Sequence, residues 1–198
     1  VSSSVVFIII QQIRVYGGSG GVAAYTIANV TLMLVVMVLL GLTQGMQPIV
    51  GYSFGAGAIG RMREALIYTI KVGVAIGAVA MAIGIFVPHW VVAPFNPSAE
   101  LAEVTINSIK IVTILFPLVG FQVVVTMFFQ SIGKVSHSIL LSLSRQLIFL
   151  IPAVFTLPRF FGLDGVWMAI PFADLLAGIV AALFLWIQLR DYRRSGSI

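Results

Sequence analysis

Between Val15 and Gly60 the chain carries no Asp, Glu, Lys or Arg. A helix of about 20 apolar residues already crosses a bilayer, so this one stretch exceeds a single crossing. The same character runs through the whole sequence. Of its residues 60% are hydrophobic and 9% charged, against roughly 25% charged in soluble domains. A soluble fold of 198 residues would lack the polar side chains to cover itself. A membrane β-barrel is excluded because its strands alternate in short segments, whereas these runs are uninterrupted. Only helices satisfy the backbone inside lipid without closing a barrel. The fold class is therefore all-α, a polytopic membrane helix bundle.

Six transmembrane helices account for the apolar share, since six spans of about 20 residues use about 120 positions. Helix A is expected over about 1–15 and is too short to cross alone. It is the truncated first span, with Tyr16-Gly17-Gly18-Ser19-Gly20-Gly21 as its breaker. Helix B covers about 22–50, with a kink expected near Pro48. Helix C covers about 65–87, and Pro88, Pro94 and Pro97 then mark a loop in which Trp90 suits an interface anchor. Helix D starts at Ser98, with Glu100 and Glu103 in its first turns, and runs unbroken to about 130. Helix E covers about 136–157, ending at Pro158 and Phe160 to Gly165. Helix F covers about 166–189. No linker divides the chain, so residues 1–198 read as one six-helix lobe. The chain opens inside an apolar helix without a basic leader, which suggests a fragment of something longer.

If the six cross alternately, one side holds Arg61, Arg63, Lys134, Arg190, Arg193 and Arg194, and the other Arg14 and Arg159. That bias places the C-terminus in the cytoplasm of a multi-pass plasma membrane (inner membrane) protein. It also explains the net charge of +5 as topology. No basic run with interleaved aromatics exists for nucleic acid, so the expected surroundings are the lipid bilayer and no nucleic acid. The absence of cysteine removes disulfides, thiolate metal sites and a cysteine nucleophile.

Small residues recur at helical spacing. Gly73, Gly77, Ala80 and Gly84 line helix C, and Ala169, Ala173, Ala177 and Ala181 line helix F. Both stripes read as packing surfaces that let backbones approach in lipid.

Ionisable groups inside spans are costly and face protein or water. Asp174 lies deep in helix F on a face with Pro171, Ala177 and Gly178. It is a proton or cation relay candidate, or one half of a structural ion pair. Lys110, beside Thr113 and Pro117, and Arg145, beside Ser138 and Ser142, are the ion-pair candidates. Uncharged polar and soft side chains that could line a cavity are Gln11, which shares a face with Ser4, and Asn29, Met33, Met37, Gln44 and Gln47 on helix B. Gln122, Thr126 and Gln130 follow at four-residue steps on helix D. Met adapts to different shapes and aromatic faces attract cations, so such a cavity suits a greasy cation. Interhelical hydrogen bonding is the plainer use of each. His89 and His137 sit at loop edges. No metal-ligand spacing, phosphate loop or serine–histidine–acid set is visible, so no enzyme is expected and no metal or cofactor.

Three local patterns resemble the C-terminal half of the multidrug and toxic compound extrusion (MATE) family, and look most similar to its bacterial multidrug-exporting branch. The first runs from Ala24-Tyr25 through Gly41 to Tyr52, then Gly55-Ala56-Gly57 and Arg61. The second is Phe128-Phe129-Gln130-Ser131-Ile132-Gly133-Lys134. The third is Ser144-Arg145-Gln146 with Pro152, then Gly162 to Trp167, Pro171 and Asp174. The resemblance implies that helices A to F are the seventh to twelfth spans of a twelve-helix exporter whose N-terminal lobe is absent here. It implies antiport of organic, often cationic, drugs by alternating access, coupled to protons or sodium. Some family members hold sodium with carboxylates on the seventh and tenth spans. Helix A here offers Ser2 to Ser4 and Gln11-Gln12, and helix D offers Lys110 and Gln122. Coupling would then rest on an acidic residue of the absent lobe, with Asp174 as the deep carboxylate of this one. The alternative function is a lipid-linked saccharide flippase of related architecture, which needs inward Arg or Lys to neutralise pyrophosphate. A membrane enzyme would need clustered catalytic groups, and a non-transporting subunit would not need Asp174 in the membrane.

Overall fold

The computed structural model describes residues 2–95 and 98–194, with side chains for 6–95, 98, 99 and 101–192. The side chains of Ser2, Ser3, Ser4, Arg193 and Arg194 therefore lie outside the described residues, as does Ser195. Every element is helical: α1 (Ser2–Gly55), α2 (Ile59–Phe86), α3 (Pro88–Val92), a 3-10 turn (Ala93–Phe95), α4 (Ala99–Thr113), α5 (Phe116–Ser131), α6 (Val135–Leu143), a π-helical turn (Ser144–Leu150), α7 (Ile151–Thr156) and α8 (Pro158–Arg194).

Two of these helices are broken by one glycine each. In α1 the backbone at Gly18 (φ 59, ψ −151) leaves the helical region, a conformation open to glycine because it lacks Cβ. The chain reverses there. Val6 and Ile9 line one cavity with Ala28, Asn29 and Leu32, so the segments before and after Gly18 lie side by side. Helices A and B are thus a hairpin hinged at one residue rather than across a six-residue loop. Gly162 (φ 60, ψ −135) breaks α8 in the same way, and helix F proper follows it. Pro48 lies inside α1, and the residue with non-helical backbone in that helix is Gly18.

The expected single helix D is two helices, α4 and α5, bent by 51°. Pro117 in the first turn of α5 has no N–H to continue the α4 ladder. The loop expected after helix C folds into α3 and the 3-10 turn, with Trp90 exposed. Ser98 does stand at the cap of α4, without a side-chain cap bond.

The segments alternate direction. Gly17 to Gly21, Ser98 and Leu163 gather around one cavity at one end. At the other end Met46, Val50, Ile59, Met62, Phe128, Ile132 and Leu185 form one buried cluster. There Lys134 Nζ also donates to Gln188 Oε1 at 2.5 Å, and the Phe54 and Tyr192 rings meet at 6.1 Å. By length and composition four helices can cross a membrane, or five if the bent pair is one span. The expected count of six would require the segment before Gly18, which belongs to the first of these helices, to be counted apart.

The small-residue stripes pack helices. A Cβ on Gly77 would strike the carbonyl oxygen of Phe116, and one on Gly120 the carbonyl oxygen of Gly73. The stripe on α2 therefore seats against the α4–α5 bend, backbone to backbone. Ala169, Ala173, Ala177 and Ala181 are all buried. His137 stands in the first turn of α6, at the edge of the turn that follows α5. Its ring lies between Phe129 and Phe184, each centroid 5.5 Å away, and among the described residues its Nδ1 is buried without a hydrogen-bond partner.

Candidate functional site

The helix expected over 136–157 contains a wide turn. Pro152, at the start of α7, lacks the N–H that an α-helix would direct to residue 148. The chain accommodates this by a π turn, closed by Ile151 N–H donating to the Gln146 carbonyl. Wide turns of this kind concentrate at functional sites, and this one carries Arg145 and Gln146.

Arg145 Nε donates to Asp174 Oδ1 at 2.5 Å. The Asp174 side chain is 3% exposed and that of Arg145 is 31% exposed. The carboxylate is buried, and the side chain that holds it is partly exposed. Gln122 Nε2 donates to the Asp174 backbone carbonyl at 2.7 Å, which ties α5 to α8 at the same level.

Two cavities flank the pair. One of about 150 Å³ is lined by Tyr25, Ala28, Asn29, Val112 and Ile170 among others. The other, of about 180 Å³, is lined by Leu40, Gln122, Thr126, Met127 and Ser142 among others. Arg145 and Gln146 line both. Tyr25 stacks on buried Trp167, centroids 6.4 Å apart, which fixes one wall.

Of the side chains singled out from the sequence, Asp174, Arg145, Gln122, Thr126 and Asn29 come together here. Gln47 Nε2 donates to Met127 Sδ at 3.4 Å, reaching the second cavity through that methionine. Gln130 Nε2 donates instead to Ser138 Oγ at 2.9 Å. Gln11, Met33, Met37 and Gln44 are exposed and line neither cavity. Lys110 is exposed in the last turn of α4 and makes no ion pair among the described residues. Sequence reasoning passed over Gln146, Tyr25 as a cavity wall, and the π turn; Pro152 was the signal for the last.

Alternating apolar helices around a charge pair that opens on two cavities define a polytopic helical membrane protein with the features of a transporter. Residues 1–156 match MatE, and the chain belongs to that family, one of multidrug efflux transporters rather than enzymes. It is 25% identical over 175 residues to the multidrug export protein MepA of Staphylococcus aureus (strain MSSA476), over 88% of this chain and 38% of MepA. Among solved structures it is similar to an outward-facing multidrug resistance MATE family transporter of the MOP superfamily, with TM-score 0.85 and 27% identity over 95% of this chain and 42% of that one. It is also similar to the MATE multidrug transporter DinF-BH, with TM-score 0.77 and 35% identity over 91% of this chain and 40% of that one. The chain thus spans about two fifths of the length of these relatives.

Proposed function

We propose that residues 1–198 are the C-terminal lobe of a twelve-helix antiporter. It exports organic, often cationic, compounds by alternating access against inward movement of a proton or a sodium ion. The observation that carries this reading is the Arg145–Asp174 pair at the seam between two cavities. A carboxylate held by a partner that also faces the transport pathway has two states, paired with arginine or loaded with a cation. Loading removes the attraction between α8 and the π turn, so the two states favour different helix arrangements. A protein that couples an ion to a conformational cycle requires this property. The partner is the N-terminal lobe, which closes the cavity from the opposite side. Arg61, Arg63, Lys134 and Arg190 supply the positive-inside bias that supports a cytoplasmic C-terminus in the plasma membrane.

A lipid-linked saccharide flippase is the second reading, favoured by the cavity-facing guanidinium. It ranks behind because Arg145 is the lone basic residue lining either cavity among the described residues.

The test is efflux of a cationic dye from proteoliposomes under an imposed proton or sodium gradient. The full-length transporter should follow the gradient and the isolated 198-residue chain should not. Robust gradient-driven efflux by the isolated chain would overturn the lobe reading.

A further inference from the structure

We propose that Arg145 is the residue of this lobe that selects for substrates carrying a carboxylate, holding that group on the terminal edge of its guanidinium. The proposal rests on the transporter reading above and adds a specificity-determining residue to it. Arg145 spends only Nε on Asp174. Its two terminal nitrogens have no hydrogen-bond or ion-pair partner among the described residues. A guanidinium presents five N–H donors in a fixed fork that matches a carboxylate two-to-two. With the Nε edge held by Asp174, the terminal edge is left for whatever occupies the cavities that Arg145 lines.

The remaining lining agrees on sign. Neither cavity has an Asp or Glu among its lining residues, and Asp174 is buried. Among the described residues, these two cavities therefore present a positive side chain and no carboxylate in their lining. A purely cationic substrate gains no charge complement here. One guanidinium in cavities of about 150 and 180 Å³ suits a monoanion, whereas a phosphate or pyrophosphate would call for further basic groups, and none lines either cavity. Gln146 beside Arg145 and Asn29 across the first cavity add amide donors for a carboxylate oxygen. Asp174 acts as a positioning residue that fixes the plane of the guanidinium.

The test is equilibrium binding, by fluorescence anisotropy, of two rhodamine dyes to the purified full-length transporter. One bears a free carboxylate and the other is its ethyl ester, with the same cationic ring system. The acid should bind about tenfold more tightly than the ester, the order expected for a charge-assisted pair. Arg145→Gln should bring that ratio to about one. Asp174→Asn should lower it by loosening the guanidinium, and Asp174→Glu should restore it. A ratio near one in the unsubstituted protein overturns the proposal, and that measurement stands even if Arg145→Gln fails to fold. A ratio that survives Arg145→Gln also overturns it. Failure of the transporter reading looks different: the ratio would be intact while neither dye moves under a gradient.

Discussion

Arg145 and Asp174 meet at 2.5 Å between the π turn and α8, yet the two partners see different surroundings. The carboxylate is buried and the arginine side chain is partly exposed. An ion pair with such unequal ends responds differently to loss of each end.

Asp174→Asn leaves behind an arginine that water can reach. It should cost about 1–3 kcal/mol, the loss of one charged hydrogen bond. Arg145→Gln leaves a buried carboxylate without its partner and should cost about 3–5 kcal/mol. The measurement is detergent unfolding of the full-length transporter for both variants. Equal losses, or a larger loss for Asp174→Asn, would contradict the arrangement.

The glycines of α2 and α1 should behave oppositely. Gly77→Ala drives a Cβ into the Phe116 carbonyl and should destabilise by about 1–3 kcal/mol. Gly45→Ala meets nothing within 4 Å in an exposed part of α1 and should stabilise by about 0.5–1 kcal/mol. Melting temperatures of the two variants should move in opposite directions. A stable Gly77→Ala would mean that α2 does not seat on the α4–α5 bend.

The bundle was legible in the sequence because hydropathy and charge are read one residue at a time. The uncharged run from Val15 to Gly60 is helical throughout most of its length, the small-residue stripes are packed, and Asp174 is buried. Where helices break was harder. Gly17, Gly18, Gly20 and Gly21 are equal as letters, and packing of the hairpin selects Gly18 as the hinge. Pro48, Pro117, Pro152 and Pro171 all remove an N–H, but neighbours decide the response. Pro48 and Pro171 sit within helices, Pro117 opens a bent joint, and Pro152 makes a π turn. The site was half legible. Arg145 and Lys110 look alike as buried-span cations, and only the tertiary arrangement brings Arg145 to Asp174 and leaves Lys110 outside.

Pro152→Ala restores the missing N–H and removes the cause of the π turn. The local helix should revert to α geometry and carry Arg145 away from Asp174. Gradient-driven efflux should fall, and removing Asp174 as well should cost less stability than it does with Pro152 present. An undiminished Arg145–Asp174 coupling in a double-mutant cycle on the Pro152→Ala background would show that the proline does not set the register.

The proposed topology predicts which ends react with an impermeant thiol reagent, and residues 1–198 contribute no native cysteine to the background. Cysteine at Ser19 or Ser98, which line the same end cavity, should react in intact cells. Cysteine at Ser195, outside the described residues, should not. Labelling at position 195 from outside would invert the orientation.

The most direct test of the account is gradient-driven efflux of the cationic rhodamine ester by the full-length transporter, compared between the unsubstituted protein and Asp174→Asn at matched protein amounts. With Asp174 as the coupling carboxylate, efflux should drop by about tenfold or more, well beyond the loss of folded protein that about 1–3 kcal/mol would cause. Normal efflux with an unchanged melting temperature would remove Asp174 from the mechanism, and a loss of efflux in proportion to lost folded protein would reduce the pair to a structural contact.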